Sequence, residues 1–158
     1  MIRKILIALL IVFIAIQFFH PAKNISTMPN SNAISLHYAV SDSVQAVLKA
    51  ACNDCHTNNT RYPWYNNIQP TTWYLAKHVK DGKRHLNFDE FYAYSFKKQA
   101  HKLDEVAKEI KKDGMPLTSY NLIHTDARLS VAQKNLLINW AENLSKEIKA
   151  KDTTALRK

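Results

Sequence analysis

A chain of 158 residues, 46% hydrophobic and 22% charged, is the size of one domain. Its 2 Gly exclude phosphate-cradling loops and dinucleotide fingerprints, which need two or three glycines within a few residues, and leave a many-stranded β fold short of turn residues. A formal charge of +9 points to anionic partners, and 2 Cys are too few for a disulfide framework.

Arg3 and Lys4 precede an unbroken apolar run from Ile5 to Ile16, which Phe18 and Phe19 extend past Gln17. Basic residues followed by such a run form an export signal. No small-x-small cleavage site follows in Phe18-Phe19-His20-Pro21-Ala22-Lys23, so residues 1–20 are expected to stay as an uncleaved membrane helix. With Arg3 and Lys4 cytoplasmic, a single pass across the inner membrane puts the remainder on the periplasmic side. Residues 21–40 hold two prolines, three asparagines and three serines with little apolar periodicity, and read as a flexible tether. Without Arg3 and Lys4 the 22 basic residues become 20 against 13 acidic, a balance of +7. An exported domain rarely meets nucleic acid, which leaves acidic protein partners or anionic lipid to explain this charge.

Four helices follow. Ser41 caps a helix with Val44, Val47, Leu48 and Ala51 on one face. A short helix from Thr71 to Asp81 buries Trp73, Ala76 and Val79 and stops at Gly82. Asn87 with Glu90, and Leu86 with Phe91, carry the cap and staple of a third helix, whose stripe of Leu103, Val106 and Ile110 ends at Gly114 before Pro116. Ser130 and Gln133 open the last helix, which buries Leu136, Leu137, Trp140, Ala141 and Leu144. The expected architecture is an all-α domain over residues 41–146, with a polar C-terminal tail at 147–158.

Cys52-Asn53-Asp54-Cys55-His56 carries the chemistry. Two cysteines three apart can meet the two vinyl groups of one haem, and the next histidine can ligate its iron. A thioredoxin-like pair would follow a strand and open a helix, whereas this segment ends one. Structural zinc needs four ligands, and there is no third cysteine. A disulfide between Cys52 and Cys55 would close only a tiny loop. The reading is therefore one covalent haem c per chain, with Cys52 and Cys55 as thioethers and His56 as proximal ligand. For the other axial position Met115 has the best setting, between the Gly114 helix stop and Pro116. His101 and His124 stand in reserve, His78 and His85 read as surface residues, and an open position is the remaining option. Arg61 and Trp64 are candidate contacts for the haem carboxylates. Pro63 or Pro70 is expected to offer a carbonyl to His56 Nδ1.

Cys52 to Asn58, Tyr62-Pro63-Trp64-Tyr65, Gly82 to Phe88, Met115-Pro116 and Tyr120 occur in the order of a known family. From Val40 to Leu144 the chain resembles the small haem-binding domain family of membrane-anchored, single-haem proteins, itself similar to class I cytochromes c. One departure is that Gly114 directly precedes Met115, where that family places a residue between. The resemblance implies a cytochrome c-like bundle of about four helices around one haem, with Cys52, Cys55 and His56 on the haem and Met115 as distal ligand. The function expected is a monohaem electron carrier rather than an enzyme, with Lys77 to His85 as a docking surface for acidic redox partners. Two alternatives remain: a haem sensor or peroxidase accessory in which Met115 leaves the iron, and a metal-free scaffold.

Overall fold

The computed structural model describes residues 1–155. These form an all-α chain of eight α-helices joined by short 3-10 turns, not the expected bundle of about four, with no β-strand among the described residues and one isolated antiparallel bridge between Ile25 and Asn59. The first helix, α1 (Ile2–Ile16), corrects the expected membrane helix. At 1.5 Å per residue its 15 residues reach about 22 Å, short of the roughly 30 Å hydrocarbon core. Among the described residues no helix is long and apolar enough to cross a membrane. The run stops where Gln17 turns to the folded body, its Oε1 accepting from the Gln69 amide at 2.9 Å. Two residues on, the Phe19 carbonyl accepts from Gln69 Nε2 at 2.7 Å and Trp73 Nε1 at 2.8 Å.

Residues 21–40, expected as a tether, instead lie on the domain. They include α2 (Ile34–His37) and bury Ala33, Ile34 and Tyr38. Tyr38 stands edge-on to Phe91 and donates its hydroxyl to buried Gln99. Asn24 Nδ2 donates to the Thr57 carbonyl and to Thr60 Oγ1, both at 2.9 Å. The polar residues that hid periodicity in this stretch act as fasteners.

Ser41 accepts from the Val44 amide and starts α3 (Asp42–Ala51), whose stripe of Val44, Val47, Leu48 and Ala51 is buried as the spacing predicts. One turn, α4 (Asn53–His56), follows directly. The next helix, α5 (Thr71–His85), runs past Gly82, which is therefore not its stop. Asn87 does cap a helical segment, but this is a 3-10 turn, Phe88–Ala93; Ser95 caps the long helix α6 (Phe96–Lys111). A short α7 (Thr118–Ile123) precedes α8 (Val131–Ala155), which opens with the reciprocal Ser130 and Gln133 bonds of a capping box. The polar tail expected from 147 begins inside α8, where Ile148 is fully buried, and residues 156–158 lie outside the described ones.

Most of the core lies between α6 and α8, where Leu103, Ala107 and Ile110 meet Leu137, Ala141, Leu144 and Ile148, with Phe91 and α3 closing one end. At the C-terminus of α6 the Asp113 amide donates to the Ile110 carbonyl and the Gly114 amide to the Glu109 carbonyl. That pattern is a Schellman motif, and its left-handed residue is Asp113 (φ 57°) rather than Gly114. The chain leaves α6 there and enters the Met115 loop.

Candidate functional site

Cys52 ends α3 and opens α4, and its carbonyl accepts from the amides of Cys55 (3.2 Å) and His56 (3.0 Å). The sharp turn brings Cys52, Cys55 and His56 to one cleft of about 510 Å³, a size suited to a cofactor. The wall from α5 carries His78, Asp81, Gly82 and His85; that from α6 carries Lys102, Glu105, Val106, Glu109 and Ile110. Met115, Pro116, Leu117 and Tyr120 line it as well, as do Ala51, Asp54, Leu86 and Phe88.

Gly82 sets the separation of α4 and α5. A Cβ there would lie 2.5 Å from the Cys55 carbonyl oxygen and 3.0 Å from the Cys55 Cβ. One turn later the Leu86 amide donates to the Gly82 carbonyl at 2.9 Å, and the Leu86 carbonyl accepts from His56 Nδ1 at 2.9 Å. The acceptor is thus Leu86, not Pro63 or Pro70. Because a carbonyl can only accept, Nδ1 carries the proton and Nε2 keeps its lone pair, the form in which imidazole binds a metal. Burial also holds the His56 imidazole below its usual range, favouring the neutral ring. Asn58 secures the following loop, its amide donating to Asp89 and its Nδ2 to Glu90.

Both cysteines are free. Burial pushes the Cys52 thiol up to about 12 and the Cys55 thiol to about 11. Redox-active pairs shift the other way, and among the described residues no strand precedes this pair as it does in a thioredoxin-like site. At pH 7 the folded, haem-free chain is expected to react with iodoacetamide much more slowly than the same chain in urea. Its rate should rise about tenfold per pH unit toward pH 11, following the thiolate fraction. Equal rates folded and unfolded at pH 7 would contradict the burial of these thiols. Among the described residues no three His, Cys, Asp or Glu side chains gather as a metal-binding group.

Met115 stands on the cleft with the thiols and His56. The histidines distribute otherwise than expected. His78 and His85 line the cleft, while His101, not part of the lining, pairs with Glu105 at 3.1 Å and His124 bonds the Tyr65 hydroxyl at 2.6 Å. Arg61 and Trp64 are both placed away from the cleft lining. The Arg61 Nε and Nη2 donate to Asp54, each at 3.2 Å, and Trp64 is 76% exposed beside Tyr65. Lys102 is the lysine that lines the cleft.

The His56 imidazole with its free Nε2, two thiols and a thioether share a cleft that His78 and His85 also line, with Leu86, Phe88, Val106 and Ile110 as its apolar surface, a donor set that fits haem. The family described as "Haem-binding domain" matches residues 11–143. The chain belongs to this family. No match is found among curated proteins or among solved structures. In this haem-binding domain the fixed points that sequence reasoning missed are backbone or small groups: the Leu86 carbonyl, Gly82 and the Asp54 carboxylate. Spacing does not reveal a carbonyl acceptor, and Gly82 resembles a helix stop until its contact with Cys55 is seen. Val106 and Ile110 were legible as an apolar stripe, though not as a cofactor wall.

Proposed function

We propose that this haem-binding domain holds one haem c covalently in the cleft. Cys52 and Cys55 are its thioethers, and His56 Nε2 and Met115 Sδ are its axial ligands. The haem-binding domain then passes single electrons rather than catalysing a reaction. The convergence of His56, both cysteines and Met115 on one cleft supports this reading, with the His56 ring oriented by the Leu86 carbonyl. Haem supplies an iron that changes oxidation state by one electron, and filling both axial positions leaves no site for a substrate. The apolar stretch behind Arg3 and Lys4 supports export, so action on the periplasmic side is part of the proposal.

The test is a pyridine haemochrome spectrum of the purified holoprotein combined with carbon monoxide titration. Haem that stays with the chain after acidified-solvent extraction, with no carbon monoxide binding to the ferrous form, is the expected result. Ready carbon monoxide binding would instead assign the sensor or peroxidase-accessory role, and extractable haem would remove the covalent attachment.

Lys77 and Lys80 are exposed on α5, Arg84 pairs with Asp81 and Lys83 turns inward to Asn24 at 2.6 Å. Lys77, Lys80 and Arg84 thus share the helix that forms one cleft wall, a placement suited to acidic redox partners. Electron transfer to an acidic partner is expected to slow as ionic strength rises toward 0.15 M, and to slow further in the Lys77→Glu, Lys80→Glu variant. Rates indifferent to salt would sink the docking surface.

A further inference from the structure

Asp54 lies between the two cysteines in sequence, and its carboxylate is buried, with a side-chain exposure of 8%. Burying a carboxylate is costly unless its partners are fixed. Arg61 supplies three bonds, from its amide at 3.1 Å and from Nε and Nη2 at 3.2 Å each. The fourth comes from Tyr120 on α7, whose hydroxyl donates to Oδ2 at 2.7 Å. Desolvation and the neighbouring Asp54 charge raise the Tyr120 pKa, so its proton stays on. The Tyr120 ring stacks on His124, with centroids 4.2 Å apart and planes 15° from parallel, and His124 in turn bonds the Tyr65 hydroxyl. α7 starts three residues after Met115, so the Tyr120 hydroxyl joins the turn carrying Cys55 and His56 to the segment carrying Met115.

We propose that Asp54 is a positioning residue: through the Tyr120 hydroxyl it holds the Met115 loop in place at the cleft and so keeps Met115 on the haem iron against competing ligands. This rests on the reading of Met115 as an axial ligand. Tyr120→Phe removes the hydroxyl and keeps the ring that stacks on His124. Imidazole is the probe, because it competes with a thioether for ferric iron. Ser145→Ala is the control: the Ser145 hydroxyl also donates to an aspartate, Asp104 at 2.7 Å, but joins α6 to α8 in the core.

In the Tyr120→Phe holoprotein, imidazole binding is expected to tighten about tenfold, the weight of one hydrogen bond to a charged acceptor, and the ferric Met-to-iron charge-transfer band to weaken. Ser145→Ala should leave both at wild-type values. Asp54→Asn, which keeps an acceptor for Tyr120 without the charge, should move both readouts the same way by less. Imidazole affinity unchanged in both the Tyr120 and Asp54 variants would overturn the proposal, as would an equal shift in Ser145→Ala, which would mean general loosening. Met115→Ala separates the two levels. If it abolishes the wild-type band while Tyr120→Phe changes nothing, Met115 is the ligand and Asp54 does not position it. If the wild-type band is absent or survives Met115→Ala, the ligand reading fails and the positioning role falls with it.

Discussion

Replacing both Cys52 and Cys55 by alanine is expected to leave no acid-stable haem on the chain and to lower the melting temperature by about 10 °C or more. The thiols contribute little to the fold themselves, since each makes only the contacts of a small apolar group. In the proposed covalent attachment their weight lies in the tether. Without it, haem must bind from solution instead of at the high effective concentration of an attached group. Leu86, Phe88, Val106 and Ile110 all line the cleft, and covering an apolar side chain of this size stabilises by about 1.5–3 kcal/mol when complete. Losing even part of that cover over several side chains costs a few kcal/mol, out of a net stability of only about 5–15 kcal/mol for a domain. One kcal/mol moves the melting temperature of a domain of about 100 residues by roughly 4–8 °C. Thermal melts of wild type and variant, read beside solvent-extracted haem content, check both parts. A double-alanine protein that keeps acid-stable haem would show attachment elsewhere.

Long periodic elements were legible in the sequence because burial at regular spacing was all they required. Val44 to Ala51 and the Ser130–Gln133 box appear where the pattern places them. Segments fixed by polar side chains were not, because Asn24, Gln17 and Gln69 look like loop composition until their partners are known. The apolar run at the start exceeded its helix for the same reason: Gln17 and Phe19 are held by the folded body, which ends α1 at Ile16. At the site, Cys52, Cys55 and His56, singled out by spacing, and Met115, singled out by its setting, all line one cleft. Arg61 was legible as a donor, but not its partner in the fold, the buried Asp54 inside the motif. Sequence indicates which residues can donate; only the fold determines what stands within 3 Å of them.

Gly82→Ala is expected to destabilise the domain by about 1–2 kcal/mol and to reduce haem incorporation, whereas Gly114→Ala should stay within about 0.5 kcal/mol of wild type. Helix propensity alone predicts the reverse order, because Gly82 lies inside α5 and alanine there gains about 1 kcal/mol. Packing outweighs it. The added Cβ would meet the Cys55 carbonyl oxygen at 2.5 Å, the Cys55 Cβ at 3.0 Å and its carbonyl carbon at 3.2 Å. Those are mostly backbone atoms, which cannot rotate aside, and overpacking of this kind costs about 1–3 kcal/mol or more. Relief must come from parting α4 and α5, which moves Cys55 relative to Leu86 and pulls His56 Nδ1 from its acceptor. At Gly114 the nearest atoms are Glu109 Oε2 and Lys112 Cε, far along flexible side chains, and the residue has no positive φ to lose. Urea melts of both variants, with haem content per chain, decide between the two terms. A Gly82→Ala protein as stable and as fully haem-loaded as wild type would mean that α4 and α5 can separate without cost, and that close contact at Gly82 does not hold Cys55 and the Leu86 carbonyl in register.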